Sequence, residues 1–193
     1  MVQIVAPRQS FDELTETLSQ KQKKALRNGR AVVTTRGDRF VGQVIANVAP
    51  DVVWEVITDY QNFAQFLPSI VSSTVLESQG DRTVVEQVGS RRVLLMDIKS
   101  RLRTENIETA KQRIDFRLLE GDLKVFEGHW QLYSLENPVD ASTDPMEQTL
   151  IVQLTKAKAG IGLLEGSFSD AFKDSVQENL TAVCAEVERR GQA

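Results

Sequence analysis

The residue types that carry most nucleophilic and metal chemistry are scarce in this chain: it has one His, His129, and one Cys, Cys184. A His/Cys zinc cage needs more such ligands than that. Any Ser-His-Asp or Cys-His arrangement must run through His129. His129 lies between Glu127 and Gln131 on the polar side of an alternating run, which reads as a solvated imidazole. Cys184 stands beside the apolar stripe of the last predicted helix and reads as a small buried hydrophobe. A Cys184–His129 dyad would need His129 to turn inward, against that alternation. The remaining acid–base candidate is Glu86. With Val84 and Val88 inward, Glu86 projects into the interior, where a carboxyl has a raised pKa and can act as a general base or hold a polar headgroup. With Val85 and Gln87 inward, it meets water. The second register is favoured, because carboxylates are seldom buried without partners. Gly160-Ile-Gly-Leu-Leu-Glu-Gly166 opens a helix after a strand, as a phosphate loop does. Its glycine spacing is one residue off, however, and no ribose-binding strand follows. Freedom of the backbone at a cavity mouth is the better reading of these glycines.

Composition narrows the classes further. A chain of 193 residues, 41 % hydrophobic and 26 % charged, is globular and of single-domain size, with enough apolar surface for its own core. One Cys makes no internal disulfide, so the fold does not depend on an oxidising compartment. No apolar run is long enough to cross a bilayer as a helix. Residues 1–7 lack the charged start and long apolar stretch of a signal peptide, so the expected location is cytoplasmic. A net charge of −4 argues against a dedicated nucleic-acid binder.

The elements that position these groups follow from periodicity and punctuation. Ser10 and Glu13 have capping-box spacing and open a predicted helix over 10–28, stopped by Gly29. Its apolar positions are sparse and Lys21, Lys23, Lys24, Arg27 and Arg30 make it basic, so a loosely attached surface helix is expected. A solvated face is the default for these cations. A transient contact with an anionic membrane surface or a protein partner is the alternative. A short strand over 31–35, a turn at Arg36-Gly-Asp38 and a strand over 40–48 follow. Pro50 suits the first turn of a helix whose buried stripe is Val53, Val56, Ile57 and Tyr60. Residues 62–67 make one more turn before Pro68. Strand patterns then fill 70–77, 82–89, 92–104, 112–119, 123–135 and 147–158. Gly80-Asp81, Gly89-Ser90 and Gly121-Asp122 are hairpin signals between runs, and 136–146 is the most loop-like stretch. The last element, 163–190, carries the stripe Leu164, Phe168, Phe172, Val176, Leu180, Val183 and Val187. At 1.5 Å per residue it is roughly 40 Å long, enough to lie along a whole sheet.

Alternation assigns the inward faces: Leu94, Met96, Ile98, Ser100 and Leu102; Ile114, Phe116 and Leu118; Phe126, Gly128, Trp130 and Leu132; Leu150, Val152 and Leu154. The long apolar surface available to cover them is the last helix. One helix about 10 Å wide cannot fill the concavity of seven antiparallel strands, so an apolar cavity is expected between them. Gly128, in mid-strand beside Trp130, fits a bend or a close approach by a ligand. Trp130, Phe126 and Phe116 are candidates to stack against that ligand.

The order strand, helix, short helix, six strands, long helix resembles the helix-grip fold of the START-like (SRPBCC) superfamily. Ala49-Pro-Asp-Val-Val-Trp-Glu-Val-Ile-Thr-Asp-Tyr60 is similar to the "aPpevVWevltDye" start of that superfamily's first helix. Asn62-Phe-Ala-Gln-Phe-Leu-Pro68 resembles the "yppFlP" stretch of its coenzyme Q-binding and polyketide cyclase/dehydrase members. Gly121-Asp-Leu-Lys-Val-Phe-Glu-Gly-His-Trp-Gln-Leu132 resembles the "G.fk...G.W.l" strand of the same branch. The likeness spans roughly residues 40–190. It implies an α+β domain over 39–193, a seven-stranded antiparallel sheet wrapped around the C-terminal helix, with residues 1–38 as a helical and short-strand extension. It also implies a hydrophobic-ligand cavity without a fixed catalytic set. The expected function is therefore binding, with transport or presentation, of a lipid, quinone or isoprenoid-like molecule. Leu94, Met96, Ile98, Phe116, Leu118, Phe126, Trp130, Val152, Phe168 and Phe172 would contact it, without cofactor or metal. The alternative is a polyketide cyclase/aromatase- or dehydratase-like enzyme in which an inward Glu86 moves protons.

Overall fold

The computed structural model describes residues 6–93, 96–135, 147–160 and 165–192, and the side chains of all of these but 91–93, 96–98, 165 and 166. Leu94, Gly162, Leu164 and the stretch 136–146, expected from the sequence to be a connection, lie outside the described residues.

The elements are β1 (Arg8–Gln9), α1 (Phe11–Leu14), α2 (Gln20–Arg27), β2 (Val32–Arg36), β3 (Arg39–Ala46), α3 (Pro50–Ile57), a 3₁₀ turn (Tyr60–Asn62), α4 (Phe63–Phe66), β4 (Ile70–Gln79), β5 (Arg82–Val93), β6 (Met96–Thr109), β7 (Arg113–Gly121), β8 (Val125–Leu135), β9 (Thr149–Lys158) and α5 (Glu165–Gly191). The strands form one sheet in the order β2-β3-β9-β8-β7-β6-β5-β4. β1 adds a parallel pair to β8 at Ser134 and Leu135, past the point where β7 has ended. The helix-grip architecture is as expected, but the sheet has nine strands rather than seven. The 31–35 segment is an edge strand of that same sheet, and the chain's first residues supply the other addition.

Two further differences have plain physical causes. Gly89-Ser90 is not a hairpin. Both residues continue β5, pairing with Ser100 and Lys99 of β6, because the ladder runs on to Val93 and Met96. The segment 10–28 is two helices. The Ser10 hydroxyl caps the first, and a complete capping box between Ser19 and Gln22 restarts the second. These helices are not loosely attached. Leu18 and Leu26 are buried with Val32, Ile45, Leu135 and Leu150, forming a second small core on the convex face of β2, β3, β9 and β8.

The main core lies on the concave face, between α5, α3 and the sheet. Val176, Leu180, Val183 and Val187 of α5 meet Val33, Val44, Ala46, Ile114, Leu132 and Ile151. The helix is seated on the β3 side. A Cβ at Gly42 would overlap the side-chain ends of Leu180 and Val176, so a larger residue there would push these two back and loosen the seat of α5. Gly128 performs the same service within the sheet, where a Cβ would run into the carbonyl of Leu154 on β9. The close approach expected at Gly128 is thus made by the neighbouring strand and not by a ligand. β4, the far edge, breaks register twice, between Ile70 and Ser72 and between Val75 and Glu77. No helix among the described residues is long and apolar enough to cross a membrane.

Candidate functional site

Seating α5 against β3 leaves the other half of the concave face uncovered. There the sheet and the N-terminal half of α5 enclose a cavity of about 450 Å³, a volume suited to one small organic molecule. Leu102, Thr104 and Asn106 of β6, Ile114 and Phe116 of β7, Phe126 and Trp130 of β8, and Gln153 of β9 form one wall. Phe168, Ala171, Phe172, Ser175 and Val176 of α5 form the opposite wall. Tyr60, Phe63, Leu67 and Ile70, between α3 and β4, close one end. Exposed Lys99 and Asp122 mark the rim.

Aromatic rings hold the space open. Phe126 packs 5.1 Å from Phe116 and 6.3 Å from Phe172, which stacks at 5.5 Å on Phe168 and lies 4.7 Å from Phe40. On the other side, Phe63 contacts Tyr60 and Phe66 edge-on at 5.5 and 5.7 Å. Such offset contacts fix the rings without closing the gap. The Tyr60 hydroxyl donates to Glu108 at 3.0 Å. Burial, then the adjacent Glu108 carboxylate, pushes that phenol well above its ordinary pKa, so Tyr60 is a neutral donor and not a base.

Of the residues expected to contact a ligand, Phe116, Phe126, Trp130, Phe168 and Phe172 line the cavity. Leu118 shares the face of Phe116 but is not in the wall. Met96 and Ile98 are strand residues whose side chains fall outside the described set, as does all of Leu94. Val152 requires a correction. It packs with the convex-face cluster under α1 and α2, and the residues of β9 facing α5 are Ile151 and Gln153. β9 is covered on both sides, so its more apolar row did not identify the inner one.

Glu86 takes the outward register favoured from the sequence, which corrects the alternative that made it a general base in the cavity. Its carboxylate takes hydrogen bonds from Arg103 at 2.9 Å and Arg101 at 3.0 Å, while Gln87 and Gly89 line the cavity. Both arginines also bind Glu120, making a cross-strand charge cluster on the convex face. The hydrogen bond from Arg103 leads the influences that hold the Glu86 carboxyl below the usual range, the reverse of what a proton-transfer base needs. His129 is on that convex face too, opposite Asp115 and Leu154. Partial burial, then the nearby Arg113 cation, lowers its pKa. Cys184 is buried against β3, within 3.5 Å of the Ile45 carbonyl, and burial pushes its thiol up to about 11. The sheet therefore separates Cys184 from His129.

The end wall is fastened to α5 by Arg190, whose guanidinium donates to Asp59 and to Glu186 at 2.7 Å each and lies over the Phe66 ring. Arg189 also binds Glu186, and this hydrogen bond is the largest cause holding the Glu186 carboxyl at about 2 rather than 4.5. A depressed folded-state pKa contributes stability that is complete above the unfolded value and disappears as pH falls through the folded one. Urea unfolding from pH 6 down to 2 checks this. The stability gap between the native chain and Glu186→Gln should close progressively between pH 4.5 and about 2. A gap that stays constant over that window would show that the Arg189–Arg190–Glu186 contact is not formed in solution.

The family model described as "Polyketide cyclase / dehydrase and lipid transport" matches residues 46–184. No curated protein matches the chain. Among solved structures, the Zhui aromatase/cyclase from Streptomyces sp. R1128 superposes with a TM-score of 0.65 at 20 % identity, over 79 % of this chain and 94 % of that one. A STAR-related lipid transfer protein from Xanthomonas axonopodis gives 0.58 at 14 % identity, over 81 % and 98 %. A START superfamily protein from Mycobacterium smegmatis gives 0.57 at 14 %, over 80 % and 97 %. At these identities the likeness is one of fold.

Proposed function

Because this chain belongs to the polyketide cyclase/dehydrase and lipid transport family, we propose that it is a binding protein for one hydrophobic small molecule, of the lipid, quinone or isoprenoid kind, held between α5 and strands β5–β9. The observation that supports this most directly is the cavity wall itself. Phe, Leu, Ile, Val and Trp side chains make most of it, its other polar residues are uncharged Ser, Thr, Asn and Gln, its charged groups Lys99 and Asp122 stand at the rim, and its one buried ionisable group, Tyr60, is committed to Glu108. Burying an apolar ligand there gains about 25 cal/mol per Å² of apolar surface removed from water, with no charge to desolvate. The cyclase- or dehydratase-like alternative has lost its proposed acid, since Glu86 faces away from the cavity and is held ionised by two arginines.

Handing the ligand to an enzyme or a membrane would use the rim rather than α2. Lys21, Lys24 and Arg27 are exposed, but their helix covers the convex face, across the sheet from the cavity. Contact of that basic face with an acidic surface would tether the protein without touching the rim.

Organic extraction of freshly purified protein, with native and denaturing mass spectra compared, tests the proposal. A non-covalent mass that is lost on denaturation and reappears as an apolar compound in the extract is expected. Identical masses, with no shift on adding a fatty acid, a ubiquinone or a prenyl alcohol, would overturn it.

A further inference from the structure

Four buried side-chain polar atoms among the described residues have no hydrogen-bond partner: Ser100 Oγ, Arg103 Nε, Gln153 Oε1 and Thr155 Oγ1. Two of them, Ser100 and Gln153, line the cavity. A protein of this size has few such atoms, and each one inside an apolar site forfeits a hydrogen bond it had in water. Gln153 stands out by position. It is paired across the sheet with Gly42 on one side and Trp130 on the other, so it lies on the cavity floor beneath the part of α5 where Val176 touches β3. Other cavity amides are engaged: Asn106 donates to the Thr83 carbonyl and the Thr104 hydroxyl, and Asn179 accepts from Ser69. The Gln153 Oε1, by contrast, is buried without a partner among the described residues.

We propose that Gln153 is the specificity-determining residue of the cavity, reading a hydroxyl or N–H group at the buried end of an otherwise apolar ligand. This rests on the binding proposal above and narrows it. The cavity would then prefer an oxygenated hydrophobe, entering polar end first, over a plain hydrocarbon of the same shape. The physical reason is the asymmetry of buried hydrogen bonds. A ligand hydroxyl satisfies the Oε1 acceptor, whereas a methyl in its place seals that acceptor away from water unpaired. Ser100, on β6 next to rim residue Lys99, offers a second polar contact nearer the opening.

The matched pair 2-naphthol and 2-methylnaphthalene tests this, with affinities read by intrinsic probe fluorescence for the native chain, Gln153→Leu and Gln153→Asn. The native chain should bind 2-naphthol about ten-fold more tightly than its methyl counterpart. Gln153→Leu should abolish that preference while binding 2-methylnaphthalene at least as well, with thermal stability equal or higher. The second half guards against a variant that merely folds badly. Gln153→Asn, a shorter amide, should keep part of the preference. Equal native affinities for the two probes, as a water held permanently on Gln153 would give, overturn the inference and leave cavity binding intact. A naphthol preference that survives in Gln153→Leu does the same. Failure of both probes to bind the native chain overturns the inference, while the binding proposal stands or falls by the extraction and mass spectra described above.

Discussion

Gly128→Ala is expected to be the most destabilising single-methyl addition in the sheet. The new Cβ would lie on the backbone carbonyl of Leu154 and close to the Cα of Thr155, in a strand paired on both sides. A flexible side chain could swing away from such a contact, but a carbonyl within a ladder can move only by parting β8 from β9. The cost should reach or pass the top of the range of about 1–3 kcal/mol typical of overpacked sites. That is a large share of a domain stability of about 5–15 kcal/mol. The measurement is the urea midpoint at unchanged m-value. Gly37→Ala is the control, because nothing lies within 4 Å of its Cβ and only its φ of +62° opposes substitution. It should cost about 1 kcal/mol. If Gly128→Ala unfolds at the native midpoint, the strands part more easily than their pairing implies.

Ala171→Phe should abolish ligand binding without harming the fold. Ala171 lies on the cavity side of α5, between Phe168 and Ser175. Helix side chains lean toward the N-terminus, so a ring at 171 would extend over Phe168, toward the rim marked by Lys99 and Asp122. It fills space rather than displacing packed atoms. The thermal midpoint should therefore hold or rise, while affinity for any cavity ligand falls by about 100-fold or more. The checks are probe titration and mass spectrometry of the extract. A variant that still carries its ligand at native occupancy would place the ligand somewhere other than between α5 and the sheet.

How much of this could be read from the sequence depended on whether an element had one covered face or two. β7 and β8 alternate cleanly because their convex sides carry Asp115, Arg117, Glu127 and His129, so Phe116, Phe126 and Trp130 were identified as inward. The stripe of α5 was equally plain, since its other side meets water. β9 was misread because α2 covers its back, which makes Leu150 and Val152 as apolar a row as a core strand needs. The polar row, with Gln153 and Thr155, turned out to face the interior, and no periodicity rule would choose it. Gly89-Ser90 looked like a turn because glycine usually punctuates, whereas here Gly89 is a cavity-lining strand residue. Tyr60 was legible as helical core and residues 62–67 as a further helical turn, but neither as cavity wall. Their role is set by the tertiary tie from Arg190 to Asp59, between residues 131 positions apart.

A sheet this wide must end somewhere, and β4 is the end that no helix of the second core covers. Val71 and Leu76 are exposed on it, a combination that would invite another chain to extend the sheet. The two register breaks described above interrupt the ladder on either side of Val75, whose N–H is already taken by the Gln61 side chain at 3.0 Å. A foreign strand laid along β4 would find an uneven template with one donor already occupied. The irregularities that look like flaws in β4 therefore make this edge a poor template for another chain.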